Sequence, residues 1–391
     1  MSLGIYLHEL SSEFTNSETW NKNTMGASMC FYEDEIHSSQ LNDAKIAIVG
    51  VEEVRGAEVD YDASSSVKSI RKEFYCMFNH FPNVNLMDLG DVKAGNSVED
   101  TYYAVSKIVE ELVKKDVIPI VLGGSQDLTF ASYKAYEALE QSVNIVTVDP
   151  KIDMGVIDDQ VNESNYINHI VMHQPNYLFN YSSLAYQSYY TDDELVSLME
   201  KLNFDSYRLG YVKSNIEEIE PVLRSADILS FDINAIKSSD APGTVLSSPN
   251  GLSGEDSCRI FRYAGLSDKL TAIGVYNYSA DKDYSKISAK QLAQMLWYFI
   301  DGVNNRKQDY PVATVAKYIK YHVDVENEKL SLVFYKSPKS GRWWVEVPYP
   351  EDAGHKHAKH LVMPCSYNDY LKACEGEIPE RWWQSYHKLI A

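Results

Sequence analysis

Between residues 45 and 305, short apolar runs alternate with amphipathic stretches at least seven times. Apolar runs bounded by polar turns read as buried strands, and stripes at helical spacing read as helices packed on them. The runs fall at residues 45–51, 84–89, 118–122, 144–149, 206–212, 227–232 and 270–276. Between them, residues 64–77 carry Val67, Ile70, Arg71 and Phe74 at helical spacing. Ser97 and Asp100 resemble a capping box, with Val98, Tyr102, Val105, Val109 and Leu112 as the stripe behind it. Further helices are predicted near 129–140, 192–202, 216–224, 255–263 and 288–303. Strand–helix alternation on this scale predicts an α/β fold whose parallel sheet is covered on both faces.

Three stretches depart from the alternation. Residues 1–44 are polar and aromatic without a clear period and form an N-terminal segment. Residues 162–190 are rich in Asn, Tyr and Ser and read as a long surface segment. Residues 306–391 change character: 330–335 and 342–347, joined by Ser337-Pro338-Lys339-Ser340-Gly341, read as an antiparallel hairpin. Residues 367–374 and 379–389, with Trp382 and Trp383, read as helices. The chain is therefore expected to divide into 1–44, a main domain at 45–305 and a C-terminal appendage at 306–391, packed on the main domain or on a partner subunit.

Composition narrows the class. With 391 residues, 45% of them apolar, a large core is affordable. No run approaches the ~20 apolar residues of a membrane span. The N-terminus shows no basic region followed by an apolar one, so no signal peptide is expected. Five scattered cysteines, odd in number and without a C-x-x-C pair, fit reduced thiols in a cytoplasm rather than a disulfide framework. A net charge of −20 with no basic patch argues against a nucleic-acid partner. The charge reads as a solubility feature.

The chemistry gathers at three strand tips. After the run at 227–231 come Asp232 and Asn234, two apart, then Asp240-Ala241-Pro242-Gly243-Thr244. Residues two apart on an extended chain face one side. After 118–122 come Gly123-Gly124-Ser125-Gln126-Asp127. After 144–148 come Asp149, Lys151 and Asp153, which share the i, i+2, i+4 face. Ligands of open α/β sheets bind outside such carboxyl-terminal strand ends. Ser125 lacks both a G-x-S-x-G elbow and a placed His–Asp pair, so a serine hydrolase is not expected. His355, His357 and His360 read as an exposed charged loop rather than a metal site.

In these stretches the chain resembles the arginase, agmatinase and formimidoylglutamase family, the ureohydrolases. Gly123-Gly124-Ser125-Gln126-Asp127, Asp149-Pro150-Lys151-Ile152-Asp153 and the stretch 230–243 are similar, in order and spacing, to that family's Gly-Gly-x-His-Asp/Ser, Asp-Ala-His-x-Asp and Ser-x-Asp-x-Asp-x-x-Asp-Pro-x-x-Ala-Pro-Gly motifs. Weaker echoes are Val54-Arg55-Gly56-Ala57 with Ile70-Arg71, Asp88-Leu89-Gly90-Asp91, and Asn250-Gly251-Leu252-Ser253. The resemblance spans residues 40 to 305. It implies a three-layer αβα fold of about eight mostly parallel strands, here with a hairpin-and-helix C-terminal addition. It also implies a two-manganese site that activates water against a guanidino, amidino or formimino carbon.

The family's six ligand positions correspond to Gln126, Asp149, Lys151, Asp153, Asp232 and Asn234. Only the three aspartates keep the family's residue, and the long motif's next acid and proline have become Lys237 and Ser238. By that resemblance one cation would see Gln126, Asp149, Asp153 and Asp232, an oxygen set suited to Mn²⁺, Mg²⁺ or Ca²⁺. The second would meet Lys151, which offers only donors, and Asn234. The Lys151 ammonium is therefore expected in the second ion's place, paired with Asp149 and Asp232. The resemblance places an acidic substrate clamp at Glu255 or Asp256 and a proton-shuttling histidine at His169 or His173. The expectation is an arginase-family protein with a degenerate site, catalytically impaired or inactive, holding no metal or one divalent cation and serving in binding, regulation or assembly. The alternative is a metal-dependent hydrolase of linear C–N bonds in which Lys151 acts as counter-cation or electrophile. Either would take a small nitrogenous ligand, with no nucleic acid or membrane. The Trp- and Tyr-rich tail offers anchors for a homo-oligomer.

Overall fold

In the computed structural model, which describes residues 3–33, 38–156, 158–311, 318–325, 330–348 and 362–390, the apolar runs become neighbouring strands of one sheet. In chain order these are β1 (Leu7–His8), β2 (Cys30–Phe31), β3 (Ile46–Gly50), β4 (Leu86–Val92), β5 (Ile118–Leu122), β6 (Val143–Val148), β7 (Leu178–Tyr186), β8 (Asp205–Arg208), β9 (Ile228–Asp232) and β10 (Ala272–Tyr276). Their order across the sheet is β1-β4-β3-β5-β10-β9-β6-β7-β8, with β2 also on β4. β1 runs antiparallel to β4, and the other pairs are parallel.

The pleat divides the side chains between two cores. Ile46 and Ile48 of β3 pack with Val67, Phe261 and Leu296, from the helices Ala63–Tyr75, Gly254–Leu266 and Ile287–Asn304. Ala47 and Val49 face the other way, toward Val105, Ala131 and Ile167 of the helices Val98–Lys114, Leu128–Ala138 and Tyr166–Met172. Parallel strands buried on both faces read as continuous apolar runs for this reason. The result is a three-layer αβα fold. Arg71, fully buried, ties one helix to the sheet: its Nε lies 2.9 Å from Asp88 and a terminal nitrogen 2.5 Å from Asp91.

Residues 162–190 are not a surface segment. They hold the helix Tyr166–Met172 and strand β7, inside the sheet between β6 and β8. Ser182 and Ser183 are buried, Ser182 donates to Asp205 at 2.9 Å, and the Tyr181 and Thr147 hydroxyls lie 3.0 Å apart. Polar side chains satisfied internally hide a buried strand from an apolar-run reading. The run at 206–212 is a strand only to Arg208 and then the helix Leu209–Ser214. The N-terminal segment, without period, contributes β1 and β2 to the sheet edge at β4.

The hairpin of the C-terminal region is β12–β13 of an antiparallel sheet, β11 (Ile319–Val325), β12 (Leu330–Lys336), β13 (Trp343–Glu346) and β14 (Val362–Cys365). Phe334 pairs with Val345, and Trp382 of the helix Glu380–Ile390 closes a third core. Arg224 of the main domain reaches into this addition, donating to the carbonyls of Trp343 and Cys365 at 3.0 Å each. His355, His357 and His360 lie outside the described residues. Among those described, no helix is long and apolar enough to cross a membrane.

Candidate functional site

Four adjacent strands, β5, β10, β9 and β6, end on one pocket. Consecutive strands β5 and β6 are separated in the sheet by β10 and β9, which come later in the chain. That parting of consecutive strands opens a crevice at their carboxyl ends. The cavity measures about 200 Å³, and all six positions singled out by motif, Gln126, Asp149, Lys151, Asp153, Asp232 and Asn234, line it.

Each tip is locally fixed. After β5, Gly123 and Gly124 take φ of +88° and +72°, a region that L side chains rarely enter. This turn aims Gln126 inward, where its Nε2 donates to Ser230 at 3.1 Å. The carbonyl oxygen is then what Gln126 can offer a ligand. After β6, Asp149 accepts the Lys151 amide at 2.6 Å. At the end of β9, Asp232 accepts the Asn234 amide at 2.7 Å, the Asn234 side chain at 3.1 Å and the Asn277 side chain at 2.9 Å. Asn234 itself accepts the Leu246 amide at 3.1 Å.

Among the described residues no ammonium or guanidinium forms an ion pair with Asp149, Asp153 or Asp232. Burial, followed by the charges of Asp153 and Asp232, pushes Asp149 well above the usual range. Burial likewise pushes Asp153 up to about 7 and Asp232 up to about 6. Glu163, on the same pocket, is pushed up to about 8, first by burial and then by Asp232 and Asp153.

Lys151 does not pair with Asp149 and Asp232. Its ammonium lies 3.1 Å from both oxygens of Glu58, about one-third exposed, at the rim. Strand alternation ends at Val148, and Pro150 turns the chain, so the i, i+2, i+4 rule no longer aims position 151. Asp232 already accepts three N–H groups, which leaves the ammonium better matched to Glu58.

Glu255 and Asp256 do not line this pocket. Asp256 closes a capping box with Ser253, accepting its amide at 3.1 Å and its hydroxyl at 2.7 Å, while Glu255 faces a separate groove beside Asp240 and Cys258. His169 and His173 lie away from it too, His173 at 2.8 Å from Glu137. Several lining residues carry no motif signal, among them Glu58, Glu163 and Asn277. Asn277 directly follows β10, so the strand-end rule finds it once that strand is recognised as part of the site. Glu163 stands at the start of the stretch whose polar composition reads as surface.

The donor chemistry fits one hard cation. Asp149, Asp153 and Asp232 with the Gln126 carbonyl supply oxygen only, and their shared excess of negative charge would be relieved by a dication. Among the described residues, no three His, Cys, Asp or Glu side chains already form a cage. A second ion would meet a poorer set: the Asn234 oxygen already accepts the Leu246 amide, and Lys151 offers only donors.

The sequence model of the arginase family matches residues 44–301. A formimidoylglutamase of Streptococcus gordonii is 22% identical over 275 residues, 64% of this chain and 82% of that one. One of Clostridium tetani is 22% identical, covering 62% and 77%. Among solved structures, Trypanosoma cruzi formiminoglutamase with Mn²⁺ superposes with a TM-score of 0.62 at 19% identity, over 68% of this chain and 95% of that one. Bacillus subtilis formimidoylglutamase gives 0.65 at 16%, over 73% and 94%. With the family's sequence model spanning residues 44–301, from β3 through β10 and most of the helix Ile287–Asn304, the chain belongs to the arginase family.

Proposed function

We propose that the chain is a hydrolase of linear C–N bonds, acting on a formimino, guanidino or amidino compound in the pocket at the ends of β5, β10, β9 and β6. The observation that carries the reading is the crowding of Asp149, Asp153 and Asp232, all buried, with no cation paired to them among the described residues. The formimidoylglutamase relatives favour a formimino substrate. Asp149, Asp153, Asp232 and the Gln126 carbonyl would hold one divalent cation. Such a cation, when bound, lowers the pKa of water and polarises the carbon under attack.

The chain's own groups do the positioning. Asn277 and Asn234 fix the Asp232 carboxylate, and Ser230 fixes the Gln126 amide. The Glu58–Lys151 pair stands at the rim, where it narrows the way in. In the overall reaction water's oxygen bonds to the substrate carbon, the C–N bond breaks, and the leaving nitrogen takes up a proton. The test is turnover by dialysed protein with and without Mn²⁺, read as formamide, urea or ammonia release from formimino, guanidino and amidino compounds. Mn²⁺-dependent release supports the reading, and no release from any of the three classes contradicts it.

A second reading, a binding or regulatory member without turnover, is favoured by the loss of the second ion's ligands at Lys151 and Asn234. It differs in outcome: small nitrogenous cations bind, and no product forms.

A further inference from the structure

Glu163 carries one of two buried side-chain oxygens in the pocket without a hydrogen-bond partner among the described residues, the Asn277 Oδ1 being the other. Glu163 is 6% exposed, lies between Asn162 and the helix Tyr166–Met172, and lines the same cavity as the three aspartates. One oxygen, Oε1, accepts the Glu58 amide at 2.7 Å. The other, Oε2, is buried and has no hydrogen-bond partner among the described residues. A buried carboxylate oxygen left without a donor is costly, and native proteins keep few of them.

The charge of the cavity points the same way. Five carboxylates line it, Glu58, Asp149, Asp153, Glu163 and Asp232, against the single ammonium of Lys151. That is a formal four negative charges, and one dication at the aspartates would cancel only half of them. Lys151 is already matched to Glu58, and the aspartates take the dication, so Glu163 is the acid left over. What remains to be supplied is a positive group with N–H donors, small enough for about 200 Å³.

We propose that Glu163 is a substrate-binding residue whose Oε2 accepts an N–H of a cationic amidinium head group, so that the site selects protonated amidines over neutral amides. This rests on the hydrolase reading for the identity of the ligand as substrate. The carboxylate is already held in place, because the Glu58 amide fixes Oε1 and so orients Oε2 without satisfying it. A charge-assisted hydrogen bond of this kind is about twice as strong as a neutral one.

The test is calorimetric binding of formamidinium chloride, with formamide as the neutral control, to Mn²⁺-loaded wild type, Glu163→Gln and Glu163→Asp. Glu163→Gln retains an oxygen for the Glu58 amide and so preserves the local fold. The expected result is a roughly tenfold or greater loss of formamidinium affinity in Glu163→Gln, the order set by one charge-assisted bond. A smaller loss is expected in Glu163→Asp, with formamide and Mn²⁺ binding unchanged in both. Equal formamidinium affinity in wild type and Glu163→Gln would overturn the proposal. So would loss of Mn²⁺ uptake in Glu163→Gln together with formamidinium, which would mark a purely structural role. If formamidinium binding depends on Glu163 while no turnover is found, the hydrolase reading fails and the cation site stands. If turnover proceeds in Glu163→Gln with unchanged KM, the cation site fails and the hydrolase reading stands.

Discussion

Asp153 and Asp232 show what a single side chain contributes when its charge is unmatched. Burial, foremost, holds Asp153 at about 7 and Asp232 at about 6, against an ordinary value near 4. The native state keeps protons there that the unfolded chain has released. Such a group favours folding at low pH, and that advantage is lost as pH rises through the folded value. The melting temperature of chelator-treated protein should therefore fall between about pH 4 and pH 7, and Asp153→Asn should shallow the fall. A flat profile across that window would contradict the charge account. Arg71 is the opposite case, a charge fully matched by Asp88 and Asp91. Arg71→Ala strands Asp88 in the core and should cost about 3–5 kcal/mol in denaturant unfolding. A loss under about 1 kcal/mol would mean that the site relaxes or admits water.

At the level of elements, the turn after β5 is the most constrained part of the site. A Cβ on Gly124 would stand 2.6 Å from the Glu53 carbonyl, at a φ of +72°. Gly124→Ala should lower the melting temperature and weaken Mn²⁺ binding together, because the same turn aims Gln126; unchanged values for both would show the turn to be permissive. The strands that build this end of the pocket are legible in the sequence because a parallel strand buried on both faces has to be apolar, as β5 and β10 are. β7 is not, since Ser182 and Tyr181 satisfy their polar groups inside the sheet. The motif residues at the strand tips are all brought together. Lys151 departs from its expected partners because strand periodicity does not continue past Val148, where the strand stops. Glu163 and Glu58 reach the pocket through tertiary contact alone, from loops whose spacing carries no such signal.

On the scale of the whole molecule, the chain sets an αβα domain beside an antiparallel C-terminal sheet, with Arg224 at the seam. Its guanidinium donates to the Trp343 and Cys365 carbonyls, pairs with Glu220 at 3.1 Å and lies 4.5 Å from the Trp344 ring. Arg224→Ala should leave those carbonyls unmatched, with Glu220 kept only by Arg342 at 3.2 Å, and speed limited proteolysis within the C-terminal region. An unchanged cleavage rate would show that the apolar contacts hold the seam without it. The sheet order sets the functional end, since only the insertion of β10 and β9 between β5 and β6 brings Gln126, Asn277, Asp232 and Asp149 to one cavity. The central claim is that this cavity holds one divalent cation and not two. The most direct measurement is calorimetric titration of dialysed protein with Mn²⁺, checked by elemental analysis. One ion per chain, lost in Asp232→Asn, is the predicted result, and two ions per chain or none would contradict it.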